Sequence, residues 1–167
     1  LVGSEMCIRD RAANVSNCVI QGNLMNGSAR DDNFRFGGMG IRVSGLADKV
    51  FVKNNVITGF HSGVRIWTYY ATNIFVNGNE FFDLVDPAVG NKPVPVGSEP
   101  RCKNIYILNN TAHTINKGFY MYGVEGLIIQ NNTVIDPYRD DNAYRLKNCN
   151  KLTESNNLVE THKFEVN

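Results

Sequence analysis

Arginines and aromatic residues of this 167-residue chain are of the types that recognise acidic sugars. Arg42, Arg65, Arg145 and Lys147 can hold anionic groups, while Trp67, Tyr120 and Tyr122 offer flat rings. Guanidinium forks bind carboxylates through paired hydrogen bonds, and rings pack on sugar faces. Cleaving such a polymer by elimination needs a base for the proton next to the uronate carboxyl, and a cation to neutralise that carboxylate. Arg42 or Arg65 could neutralise, and His61, Tyr120, Tyr122 or Lys147 could be the base. Hydrolysis needs two carboxylates across the bond, and Asp83, Asp86 and Asp136 are the acids to consider. Against each stands the plainer reading, a solvated residue on an exposed strand or turn.

Other reactive side chains carry less. His61, His113 and His162 show no metal-ligand spacing on one element. No cofactor is expected; calcium would go to Asp31-Asp32 or Asp140-Asp141, which lack a specific ligand pattern. Cys7 lies in a terminal stretch set aside below, and Cys18 falls on a core position. Cys102 and Cys149 share a column two repeats apart, too far for a disulfide, and none is expected. Sequons such as Asn109-Asn110-Thr111 and Asn131-Asn132-Thr133 follow from a turn pattern and do not argue for glycosylation.

The element that must position these groups is a repeat. NCVIQGNLMNG from Asn17, KVFVKNNVITG from Lys49, NIFVNGNEFFD from Asn73, NIYILNNTAHT from Asn104, GLIIQNNTVID from Gly126 and KLTESNNLVET from Lys151 align without gaps. The fixed member is the column Asn23, Asn55, Asn79, Asn110, Asn132 and Asn157, at spacings of 32, 24, 31, 22 and 25. A basic period of that kind, with insertions, fits one solenoid coil per repeat. Alternation before the Asn marks a strand with one buried face. The Asn is expected to take the left-handed backbone of a sharp turn and to pass amide hydrogen bonds up the stack. The strand after it should point Met25, Ile57, Phe81, Ala112, Val134 and Val159 inward. Glu154 stands where the other repeats have Ile20, Val52, Val76, Ile107 and Ile129, so the last coil should fray or give this carboxylate a partner.

A further strand precedes the Asn strand, read at 40–43, 63–66, 94–96, 119–121 and 144–146. With Gly-Ile-x-Val followed by Asn-Val-x-Ile-x-Asn-Asn, nearly throughout residues 14–160, the chain resembles the right-handed parallel β-helix repeat family related to pectate lyases. The resemblance implies an all-β, single-stranded right-handed parallel β-helix of about six coils. It places a substrate cleft on the strand preceding the Asn strand. There the outward columns would be Arg42, Arg65, Pro95, Tyr120, Arg145 and Ser44, Trp67, Gly97, Tyr122, Lys147. Two enlarged loops would wall it: Gly27 to Gly38, with Arg30, Asp31, Asp32 and Arg35, and Leu84 to Pro93, with Asp86, followed by Glu99. Asp83 and Asp136 would sit two coils apart, about 10 Å, wide for paired-carboxylate hydrolysis. Gly-His-Gly, Arg-Ile-Lys and Arg-x-Pro-x-x-Arg, signatures of the polygalacturonases and classical pectate lyases, do not occur. On the Asn strand the outward column Val19, Phe51, Phe75, Tyr106 and Ile128 is an apolar stripe, expected to be covered by missing chain or by other subunits.

Charge bounds the partners. The 17 Lys and Arg nearly cancel the 16 Asp and Glu, leaving +1, which argues against nucleic acid bound through bulk charge. No apolar run approaches the roughly 20 residues of a membrane span. Residues 1–11, LVGSEMCIRDR, read as a translated sequencing adaptor, so residues 12–167 are taken as the β-helix domain, with native coils and any signal peptide expected upstream. Two functions fit. One is a secreted, polysaccharide-directed β-helix, a lyase or glycoside hydrolase for an acidic polysaccharide. The other is a non-catalytic module of a phage tailspike or surface adhesin, as monomer or homotrimer.

Overall fold

A computed structural model describes residues 10–27, 38–92, 102–113, 117–137 and 143–161. The period-two alternation folds as strands, numbered here in chain order. The first sheet stacks β1 (Asp10–Ala13), β4 (Met39–Ser44), β7 (Ser62–Trp67), β10 (Val89–Asn91), β13 (Phe119–Tyr122) and β16 (Tyr144–Lys147). The second stacks β2 (Ser16–Gln21), β5 (Ala47–Lys53), β8 (Ala71–Asn77), β11 (Cys102–Leu108), β14 (Val124–Gln130) and β17 (Thr153–Ser155). The third stacks β3 (Leu24–Asn26), β6 (Val56–Thr58), β9 (Glu80–Phe82), β12 (Thr111–His113), β15 (Thr133–Ile135) and β18 (Leu158–Glu160). Strands pair in parallel with the same strand of the next coil, which makes a β-helix of six coils. Its opening strand draws Asp10 and Arg11 from the stretch assigned to the adaptor, pairing them with Ile41 and Arg42.

The core runs along the axis. Val52, Val76, Ile107 and Ile129 stack in register and are fully buried, as are Ile57, Phe81, Ala112 and Val134 on the third sheet. Each buried Val, Ile or Phe among them contributes about 1.5–3 kcal/mol. At the corner between the second and third sheets, each Asn of the fixed column donates its backbone N–H and its Nδ2 to the Oδ1 of the next. The distances are 2.9–3.1 Å throughout, from Asn23 to Asn157.

The left-handed backbone, however, belongs to the residue before the ladder. Gly22, Asn54, Gly78, Asn109, Asn131 and Asn156 have φ of 53–67°. The ladder Asn is fixed by its hydrogen bonds, and its predecessor is Gly or Asn in every coil, the residues that enter that conformation at least cost. A second left-handed column, Asn17, Lys49, Asn73, Asn104, Gly126 and Lys151, opens each aligned segment and interrupts the strands of the second sheet.

Three further expectations change. The fourth coil's first-sheet strand is Val89–Asn91, not 94–96. Val89 is fully buried between Val64 and Phe119, and buried Asn91 exchanges hydrogen bonds of 2.7 and 2.8 Å with the Tyr122 backbone. Gly90 therefore replaces Pro95 in the arginine column, and Lys92 extends the strand where Gly97 was expected; residues 93–101 lie outside the described residues. In the last coil Val159 keeps its register with Val134 and Glu154 with Ile129, yet both are exposed, because no described coil lies beyond β17 and β18. The Glu154 carboxylate is thus solvated. Ser44 keeps its register with Trp67 but is buried. Cys18, Cys102 and Cys149 are free, with Val124 between the latter two. Of the apolar stripe, Val19 is exposed, Phe51, Phe75, Tyr106 and Ile128 are half-buried, and the three rings stack at 4.7 and 4.3 Å.

Candidate functional site

On the outer face of the first sheet, parallel register brings Arg42, Arg65, Gly90, Tyr120 and Arg145 into one row. Beside it run Trp67 and, on the far coils, Tyr122 against Lys147. Side chains alternate across a strand, so both rows face away from the core. The sheet thus assembles all the sugar-binding candidates, Arg42, Arg65, Trp67, Tyr120, Tyr122, Arg145 and Lys147, on one face.

Trp67 is the centre of the early coils. The guanidinium carbons of Arg42 and Arg65 lie 6.0 and 5.4 Å from its ring centre, and Lys92 Nζ lies 5.7 Å away. Lys92 also caps Tyr69 at 4.4 Å. Cations gather over aromatic faces because the ring quadrupole attracts them. Arg42 and Arg65 stand in directly opposed register, an arrangement that costs energy between like charges. Arg42 Nε is moreover buried with no hydrogen-bond partner among the described residues.

Asp86 is the counter-charge. Its Oδ1 accepts a hydrogen bond of 2.8 Å from Lys117 Nζ; its Oδ2 lies 3.7 Å from Arg65 and 4.0 Å from His61 Nδ1. The turn before each first-sheet strand supplies these groups: the Asp86 N–H bonds to the His61 carbonyl one coil below, and Lys117 O accepts from Ala88 N. Burial pushes the Arg65 guanidinium down from its ordinary pKa, and Asp86 opposes that shift. Arginine nevertheless stays charged at neutral pH.

In the later coils Tyr120 keeps the outward register yet is only 5% exposed. Lys117 Nζ and the Arg145 guanidinium lie 5.8 and 5.9 Å from its ring. Burial raises its hydroxyl pKa, with a hydrogen bond to Arg145 pulling the other way. Tyr120 therefore keeps its proton at neutral pH. Arg145 and Lys147 are exposed, and Tyr122 is half-buried.

Among the described residues Asp83 and Asp136 do not form a close carboxylate pair. Asp83 and Asp136 occupy equivalent left-handed turn positions after β9 and β15, with β12 between them. Among the described residues Asp86 is the carboxylate that ion-pairs with the cationic rows, and it is engaged by three basic side chains. His113 is on the third sheet, stacked 4.4 Å from Phe82. Arg30, Asp31, Asp32, Arg35, Glu99, Asp140, Asp141 and His162 lie outside the described residues. Among the described residues no three His, Cys, Asp or Glu side chains come together to hold a metal, and no helix is long and apolar enough to cross a membrane.

Lys92, Lys117 and Tyr69 join the site without having been singled out from sequence. Counting back two residues from the strand's first core position would have found Lys117, since Ser62 and Pro87 stand equally before Val64 and Val89.

A family model described as right handed beta helix region matches residues 6–164, and the chain belongs to that family. Its parallel six-stranded sheets are those of a right-handed solenoid. The comparison with curated proteins found no match, and the comparison with solved structures found none either.

Proposed function

We propose that this protein binds an acidic polysaccharide along the outer face of its first sheet. One observation carries the reading: the second to sixth coils each add a cation to this face. These are Arg42, Arg65, Lys92, Lys117 and Arg145, interleaved with Trp67 and Tyr120, in a chain whose net charge is only +1. Coils are about 4.8 Å apart, close to the length of one pyranose unit. A polymer lying along the axis would meet a fresh positive charge with each sugar. Secretion or surface display follows from such a ligand and is part of the proposal.

Elimination is the chemistry this set of residues favours over hydrolysis. Arg65 would neutralise the uronate carboxylate, so that the adjacent carbon gives up its proton to a base. The bond to the leaving oxygen would then break as the double bond forms, with protonated Tyr120 supplying a proton to that oxygen. His61, Lys147 and Tyr122 remain the candidate bases.

The test is calorimetric titration with polyuronates, followed by a screen for unsaturated and reducing ends. Binding should weaken as salt rises, and Arg65→Ala should lose tenfold or more in affinity, about 1.4 kcal/mol. Lack of binding to every uronate and sulfated polymer tried would overturn the reading. Binding without new chain ends would favour the second reading, a non-catalytic tailspike or adhesin module. The stacked Phe51, Phe75 and Tyr106 stripe supports that reading as a contact between subunits, and a trimer in light scattering would strengthen it.

A further inference from the structure

We propose that Gly90 is a specificity-determining position: its missing side chain lets the Arg65 guanidinium lie across the fourth coil, where it receives a carboxylate of the glycan. This rests on the acidic-polysaccharide reading and locates its anchoring subsite.

Gly90 is the gap in its row. Its neighbours in register are Arg65 and Tyr120, and beyond them stand Arg42 and Arg145, all with large side chains. Backbone conformation does not require the glycine, because its φ lies outside the left-handed range. Space does. A Cβ at Gly90 would stand 2.8 Å from Arg65 Nη1, 2.9 Å from Pro87 Cγ and 3.2 Å from the Tyr120 carbonyl oxygen. The guanidinium thus reaches across the next coil and lies in the space a side chain would fill.

It is held there from two directions, by the Trp67 ring at 5.4 Å and by Asp86 Oδ2 at 3.7 Å. The second distance exceeds hydrogen-bond length, and the other oxygen of Asp86 is bonded to Lys117. The fork is therefore placed without being consumed by its counter-charge. Its side chain is 13% exposed, so an entering anion meets it away from bulk water, where attraction is stronger. Lys92, over the same Trp67 ring, and Lys117, on the same Asp86, add two cations beside the partners of Arg65. A planar acceptor with two oxygens matches the fork. A uronate carboxylate meets that description, and a sulfate ester shares its charge.

The experiment compares Gly90→Ala, Arg65→Ala and the double variant, each as the full chain, with a polyuronate, its carboxyl-reduced neutral form and a sulfated glycan. Gly90→Ala should lose tenfold or more on the polyuronate, with an unchanged circular dichroism spectrum, and change nothing on the reduced polymer. In the Arg65→Ala background it should cost nothing further. If the new methyl lowers the melting temperature, Pro87→Ala removes the second close contact, and Gly90→Ala is then read against Pro87→Ala alone. Unchanged affinity, or an equal loss with and without Arg65, overturns the proposal while the function reading stands. A wild-type chain that binds the sulfated glycan alone overturns the carboxylate assignment. A wild-type chain that binds no acidic glycan overturns both.

Discussion

At the corner between the second and third sheets, successive coils carry the same residue, asparagine, six times over. On the outer face of the first sheet the second to sixth coils carry arginine, arginine, glycine, tyrosine and arginine. The two regions share a pitch and differ in what the stack demands of them. A ladder Asn must receive two donors from one side and offer two to the other, so any other residue breaks a chain of buried bonds. An outward residue of the first sheet leaves the stack, and the backbone ladder forms whatever it is. Repetition there would be cheap, and like charges in opposed register are even costly. Variation on that face is where a ligand can write its requirements.

The largest break of this comparison comes from Asn110→Ala. It removes the acceptor of the Asn79 N–H and Nδ2 and a donor to the Val76 carbonyl, all in the buried interior. Unpaired buried groups cost about 1–3 kcal/mol each, so a loss of about 3 kcal/mol is expected in denaturant melts. Glycan affinity of the folded fraction should not change. A loss below about 1 kcal/mol would mean that the ladder is ornamental to stability. Trp67→Ala should do the reverse. The ring is half-buried on the outer face and holds three cations in place, so affinity should fall about tenfold, about 1.4 kcal/mol, with little change in melting temperature.

The smallest effect lies on the second sheet's surface. Hydrogen bonds from Lys151 and Lys103 hold the half-buried Glu125 carboxyl below its ordinary pKa of 4.5. A depressed folded-state pKa gives stability that is present above the unfolded value and disappears as pH falls through the folded one. The melting temperature of the wild type should therefore slip slightly more than that of Glu125→Gln as pH is lowered below 4.5. Identical profiles would show that solvent screens these pairs completely.

The fold was legible because the ladder Asn is both periodic and invariant, and counting from it fixes the strands on either side. Arg42, Arg65, Tyr120 and Arg145 were placed correctly by that count alone. It failed in the fourth coil, where Val94-Pro95-Val96 alternates more visibly than Val89-Gly90-Asn91. The deciding forces there are invisible in one dimension: burial of Val89 between two neighbours, and the bonds of Asn91 to Tyr122. From sequence Asp86 reads as one of the acids for hydrolysis, whereas its partners are cations brought together by the turns. Such turns have no period, so Lys92 carried no signal of its meeting with Trp67, and Lys117 carried only that of its place two residues before Phe119.

The asparagine ladder also bears on how such a protein changes its length. Every rung presents the same acceptor to the coil before it and the same donors to the coil after it. A coil cut out or copied in would therefore find matching hydrogen bonds at both joints, and the neighbours would close over the seam. Gene duplication of a single repeat becomes a mild event, and the length of the outer face becomes a quantity selection can adjust one coil at a time.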